Sequence, residues 1–332
     1  VPHRSASLLL ARSLVQKGDV DQGIRALRAF ADAFADHGDA SLARTELARA
    51  LHAKNKHVEA ATLLTRVRRE APLWSGLDES FDVLEKSALA KLSKKQRAAV
   101  LRREPADWVT EYRVRFRAHD SQDVIDGLEK RVLKWKKKTS ERCEGLFLVG
   151  NSYTKLRKHA DSTPWYERLL AECKGDKNYI RALYKGGKGY WNAGKKDDAY
   201  RLFERMWSEF PKHSYADDGM YFGSRILTEQ DKVEDAKKLL RRQVKTYPEG
   251  DMASDAHWSM VREHFEEKNY AAAVAYIDGL EDTGEKDLYA LGRLHYFRAR
   301  ALQLEGNVKM AREAYGAVVR DTPMGYYSLL AL

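Results

Sequence analysis

The sequence predicts an all-α protein: antiparallel helical hairpins stacked into a right-handed superhelix, an α-solenoid. Three observations predict it. A small residue recurs at Ala199, Ala236, Ala273 and Ala311, in steps of 37, 37 and 38 residues. Going backwards, Ser162 lies 37 before Ala199 and Val124 lies 38 before Ser162, while Gly23 and Ala60 are again 37 apart. The text around the anchors is alike: Gly194-Lys-Lys-Asp-Asp-Ala199, Asp231-Lys-Val-Glu-Asp-Ala236 and Gly306-Asn-Val-Lys-Met-Ala311. The composition agrees, because 33% charged and 43% hydrophobic residues with only seven prolines suit amphipathic helices.

Residues 1–71 hold two hairpins, around Gly23 and Ala60. The next step, from Ala60 to Val124, is 64 residues and no multiple of 37. Residues 72–107 are therefore expected to form irregular helices, bracketed by Pro72 and Pro105 and carrying Phe81, Leu84, Ala88 and Leu92 at helical spacing. Regular repeats of about 37 residues follow over 108–332. The Ser162 unit carries Gly150, Tyr153 and Tyr166. Its second helix is expected to start late, with Ser162 or Thr163 as N-cap and Pro164 in the first turn.

The Ala199 unit is the best formed, with Gly187, Tyr190, Ala199, Phe203 and Pro211 at offsets of −12, −9, 0, +4 and +12. Gly187 lets the paired helices approach, Tyr190 fills the space beside it, and Phe203 lies one turn beyond Ala199 on the same face. Pro211 stops the second helix. These offsets resemble the tetratricopeptide repeat. Later units follow with Gly223, Ala236, Leu240 and Pro248; with Val261, Ala273 and Ile277; and with Ala299, Ala311, Tyr315 and Pro323. Ala199, Phe203, Ala236, Leu240, Ala311 and Tyr315 are expected to be buried between helices. No Gly/Ser-rich linker interrupts the chain, so residues 1–332 read as one continuous array.

Chemistry is sparse. No nucleophile elbow, phosphate loop or HExxH segment occurs, so no catalytic, cofactor-binding or metal residue is nominated. The scattered histidines, including His257, His264 and His295, suit packing better than ligation. Gly186-Gly187-Lys188-Gly189 has no strand before it and fits close helix packing. No run approaches the roughly 20 apolar residues that span a bilayer. The opening Val1-Pro2-His3-Arg4 shows no signal peptide, although a cleaved one is compatible with it.

The net charge of +10 favours anionic partners, with plain solubility as the alternative. Lys134-Trp135-Lys136-Lys137-Lys138 is the sharpest basic run. Its tryptophan has the chemistry to stack on a sugar while the lysines meet anionic groups; the alternative is lysines closing a helix C-terminus. Trp191, next to the inward Tyr190, must face another direction and is a second candidate ligand contact. No recognised nucleic-acid-binding module is present.

Cys143 and Cys173 are candidates for a disulfide. They are 30 apart with a midpoint at residue 158, where the turn of the Ser162 hairpin falls. Residues equally far from the turn of an antiparallel hairpin come level, within a disulfide's reach if both point inward. Two separate small core residues are the alternative.

The C-terminal text reads Tyr296-Phe-Arg-Ala-Arg300-Ala-Leu-Gln-Leu-Glu-Gly306, then Ala311-Arg-Glu-Ala-Tyr315, then Pro323-Met-Gly-Tyr326-Tyr327-Ser328-Leu-Leu-Ala331. It resembles the end of the helical superhelix in the soluble lytic murein transglycosylases, with Ser328 where the family has glycine. The resemblance implies a periplasmic, non-catalytic superhelical region that binds peptidoglycan strands for a C-terminal catalytic domain. That domain's Glu-Ser pair and later Gly-Leu-Met-Gln are absent here, and Glu79-Ser80 is a chance match. The alternative function is a tetratricopeptide-like scaffold holding a protein segment in its concave groove.

Overall fold

The computed structural model describes residues 2–280 and 287–332. Among the described residues there are nineteen helices and no strand. The chain groups into two compact units, Val1–Tyr179 and Ile180–Leu332, and each is described by itself.

In the first unit, α1 (Pro2–Gln16) pairs with α2 (Val20–Ala33), and α3 (Asp39–Ala53) with α4 (His57–Glu70). Helix α2 shows how the pattern works. Asp19 caps it by accepting the Gln22 N–H at 3.3 Å, and Gly23, Leu27, Phe30 and Ala31 are its buried residues, all on one face. Fully burying a side chain such as Leu27 stabilises by about 1.5–3 kcal/mol. The irregular stretch forms α5 (Glu79–Ala90), capped by Asp78, and the short α6 (Lys94–Leu101), which opens with a Ser93/Gln96 capping box. Regular pairing resumes with α7 (Pro105–Arg117) and α8 (Ser121–Val132), then α9 (Ser140–Lys155) and α10 (His159–Glu172).

Helix α10 corrects one expectation. It starts at His159, capped by Lys158, and runs through Pro164 instead of starting there. The carbonyl that proline leaves without an N–H is that of Ala160, and the Thr163 hydroxyl donates to it at 3.1 Å. Ser162 and Thr163 are buried within the helix and do not cap it.

The second unit pairs α11 (Tyr179–Asn192) with α12 (Lys196–Glu209), α13 (Tyr215–Glu229) with α14 (Val233–Thr246), α15 (Ala253–Glu266) with α16 (Tyr270–Asp278), and α17 (Leu288–Leu304) with α18 (Val308–Asp321); α19 (Tyr326–Ala331) packs on the last pair. A Cβ on Gly187 would stand 2.7 Å from the Phe203 ring, so this glycine sets how closely α11 and α12 approach. Ala199, Phe203, Ala236, Leu240 and Ala311 are buried as expected. Tyr315 is not: it is half-exposed, and its hydroxyl reaches out to Gln303 Oε1 at 3.1 Å, while Val318 fills the core instead.

The repeat appears most cleanly in the backbone. Left-handed residues occupy the turns at Gly18, Asn55, His119, Arg157, Gly194, Asp231, Lys268 and Gly306, stepping by 37, 64, 38, 37, 37, 37 and 38 residues. Each turn closes alike, as where Lys56 N–H reaches back to Leu51 O at 2.9 Å and Lys195 N–H to Tyr190 O at 2.9 Å. This is the Schellman closure, which satisfies carbonyls that a helix end would leave open. A Cβ is strained in this conformation, because it comes too close to the following carbonyl oxygen. Arg157→Gly is therefore expected to stabilise the protein by about 0.5–1 kcal/mol. A raised urea midpoint at constant slope would register it, and a fall in stability would contradict it.

Candidate functional site

The structure separates the residues of the basic run. Helix α8 ends at Val132, and Lys134, Lys136, Lys137 and Lys138 lie exposed in the connection to α9. Trp135 turns the other way, into the core. Its ring lies over Gly145, where a Cβ would come within 2.9 Å, and its carbonyl accepts from Arg142 at 3.1 Å. The indole thus packs, half-buried, against Gly145 and the core between α8 and α9. Cys143 and Cys173 are joined as a disulfide, with Cα atoms 5.8 Å apart. Cys143 stands in the first turn of α9, and Cys173 is the residue that ends α10.

Trp191, near the end of α11, faces α13. Its indole N–H donates to Glu229 Oε2 at 3.0 Å, and the Arg225 guanidinium lies 5.4 Å from its ring. Those contacts place Trp191 beside a groove of the second unit, a cavity of about 420 Å³ bounded by α13, α14 and α15. Tyr221, Arg225 and Thr228 form one wall, Trp258 and Arg262 the other, and Val233 and Leu240 the floor.

Most charges around this groove are already matched. Lys237 pairs with Glu234 at 3.1 Å, with Glu267 at 2.9 Å and with Glu263. Arg262 pairs with Glu266 at 3.3 Å. Glu229 holds Lys196 at 3.2 Å, and the indole hydrogen bond from Trp191 keeps its carboxyl below the usual range. Arg225 differs: among the described residues it makes no ion pair, and its only ring neighbour is Trp191. Helix α11 adds Lys185 and Lys188, whose amines are pushed down by burial; neighbouring cations lower Lys185 further, while the Asp218 charge partly offsets the shift at Lys188. This region therefore presents unmatched positive charge beside aromatic surface.

Beyond Lys188 the sign reverses. Asp217 and Asp218, in the first turn of α13, meet Asp251 from the turn before α15. Burial, and then the charges of Asp251 and Asp217, push the Asp218 carboxyl up to about 7. Sequence reasoning nominated no metal ligand and missed this trio. The only signal was the Asp217-Asp218 pair; the third carboxylate comes from the following hairpin, and nothing in the local text links it to them.

Two stretches of the chain match tetratricopeptide-repeat family models, residues 8–73 and residues 181–213. They fall on α1 to α4 and on the α11/α12 hairpin. No curated protein matches. Among solved structures, a tetratricopeptide repeat protein from Parabacteroides merdae is 14% identical over 100% of this chain and 96% of its own, with a TM-score of 0.35. PilF of Pseudomonas aeruginosa is 12% identical over 68% of this chain and 95% of its own, with a TM-score of 0.44.

The fold is a tetratricopeptide-like solenoid of helical hairpins.

The two family-model matches overturn the resemblance to lytic transglycosylases. The physical reason lies in the offsets. Ala299, Ala311, Tyr315 and Pro323 stand at −12, 0, +4 and +12, as Gly187, Ala199, Phe203 and Pro211 do. Most of the C-terminal text that suggested a wall enzyme thus repeats the spacing of the other hairpins, although Tyr315 at +4 stays half-exposed. Peptidoglycan as partner rested on that resemblance and on the net positive charge, and the family matches give it no support. Among the described residues no helix is long and apolar enough to cross a membrane.

Proposed function

We propose that this protein is a scaffold that binds a segment of a partner protein in the groove between α13 and α15. The observation that carries this is the 420 Å³ groove with unpaired Arg225 on one wall and Trp258 on the other. A cavity of that size takes one or two side chains, not a globular surface. An unmatched guanidinium next to aromatic rings suits a carboxylate followed by an apolar side chain. The tetratricopeptide-like architecture supports the reading, since stacked hairpins repeat their first helices as an extended surface. We extend it to an oxidising compartment, on the support of the Cys143–Cys173 bridge.

Selection from a displayed random-peptide library tests the groove. The selected peptides are expected to carry Asp or Glu beside an apolar residue. Arg225→Ala, on an exposed side chain, should weaken them about tenfold or more through the lost charged hydrogen bonds. Thr228→Arg, which fills the groove, should abolish binding with unchanged circular dichroism. Peptides that bind both variants as well as the parent would defeat the proposal.

A further inference from the structure

One carboxylate oxygen each of Asp217, Asp218 and Asp251 lies within 4.8 Å of the other two. Asp217 is 3% exposed and Asp218 4%. Asp251 is exposed, but ionised groups so close, two of them buried, repel strongly unless something positive stands between them. Asp217 has a partial answer, because its Oδ2 accepts the Met252 N–H at 3.1 Å. Asp218 has none: among the described residues its carboxylate, although almost wholly buried and aimed at the other two, receives no hydrogen bond.

The cation that faces it, Lys188, is committed elsewhere. Its amine donates to the Tyr184 hydroxyl at 3.0 Å, sits 4.2 Å from the Phe222 ring, and makes no ion pair with Asp218. Tyr184 in turn stacks on Tyr215 at 5.1 Å, which closes that side. On the other side Gly250 presses bare main chain against Asp217, where even a Cβ would collide with the carboxylate. The three carboxylate oxygens therefore lie close together with no ion pair to any of them among the described residues.

We propose that Asp217, Asp218 and Asp251 bind a hard divalent cation, Ca²⁺ in particular, that ties the first turn of α13 to the turn before α15. An all-oxygen donor set selects hard cations over zinc or copper. Bonds of about 2.3–2.6 Å let one Ca²⁺ reach oxygens spread this far, whereas the shorter bonds of Mg²⁺ demand a tighter cluster. Three carboxylates leave the remaining positions to water. Bound Ca²⁺ would fix α13 against α15, the two helices that wall the groove, so its occupancy would set the groove's width.

The test is a CaCl₂ titration of the whole chain at pH 8, read by thermal unfolding and by calorimetry. A single site with millimolar or tighter affinity is expected, and a rise in Tm of about 3 °C or more at saturation. MgCl₂ should give a smaller shift, and NaCl at equal ionic strength none. Asp218→Asn, an uncharged isostere, should fold with at least the parent's calcium-free Tm and lose the calcium response. Asp251→Asn should weaken the response as well. Absence of calcium heat and Tm shift in the parent protein overturns the proposal. So does a calcium response that Asp218→Asn leaves intact. A Tm that instead rises only on acidification would assign the cluster to a shared proton and also overturn it. Peptide binding plays no part in these readouts, so the outcome is independent of the proposed function.

Discussion

Arg142→Ala is expected to cost about 3–5 kcal/mol of stability, because it leaves a buried charge without its partner. Arg142 is 1% exposed, in the first turn of α9. Its guanidinium grips Glu172 with two hydrogen bonds, one of them 3.0 Å long. Its remaining Nη1 donates to the carbonyls of Val132 and Trp135. One side chain thus satisfies a carboxylate at the end of α10 and the carbonyls of Val132, the last residue of α8, and Trp135 beyond it. Removing it strands the Glu172 carboxylate and the Trp135 carbonyl, while the Val132 carbonyl keeps the Trp135 N–H at 3.3 Å; each stranded acceptor costs about 1–3 kcal/mol. Arg142→Lys should recover only part of this, since an ammonium cannot copy the planar fork.

The same pair gives a pH signature. The hydrogen bonds from Arg142 hold the Glu172 carboxyl below its ordinary value. A depressed folded-state pKa contributes stability that is present above the unfolded value and lost as pH falls through the folded one. Stability of the parent should therefore drop below about pH 4.5 more steeply than that of Arg142→Ala, which has already lost the pair. Urea unfolding at pH 7 and pH 4 measures both effects. Equal stabilities at pH 7 would refute the assignment of Arg142 as a structural clamp.

What the sequence revealed and what it hid follow from the range of the forces involved. Periodicity was legible because each hairpin meets the same local demands. The small anchors and the left-handed turn residues recur together, and both make the same irregular step of 64 between the second and third of the hairpins they mark. Position about a turn was legible too, since mirror-image distance along two helices is simple geometry. Side-chain direction was not. Trp135 reads as an exposed ring among lysines, yet a single glycine ten residues on opens a slot for it in the core. Pro164 reads as a helix start, yet one threonine hydroxyl lets the helix run through. The Asp217, Asp218 and Asp251 cluster depends on two hairpins meeting, which no local pattern encodes. The Arg142–Glu172 clamp, by contrast, was within reach. It has the same spacing of 30 as the cysteines, one residue earlier on each helix.

That adjacency sharpens the second large expected effect. Replacing Cys143 and Cys173 with alanine is expected to destabilise the protein by about 3–4 kcal/mol, the chain-entropy value for a closed loop of this length. The bridge spans 30 residues and encloses nearly all of the α9/α10 hairpin, so it restrains little in the folded state that packing does not already hold. Its effect falls on the unfolded chain. Reduction of the parent protein should therefore lower its urea midpoint to that of the double variant, and reductant should leave the variant unchanged. Thiol titration of the oxidised parent in denaturant should find no free thiol. Two free thiols, or equal midpoints with and without reductant, would remove the bridge and with it the support for an oxidising compartment. Because the clamp and the bridge join the same two helix ends, their losses should not add. With the bridge intact, the ends of α9 and α10 stay close after Arg142→Ala and can repack; without it, nothing but apolar contact holds them. A cycle of the two changes should show coupling on the order of 0.5–3 kcal/mol, with the arginine loss more damaging in the reduced protein.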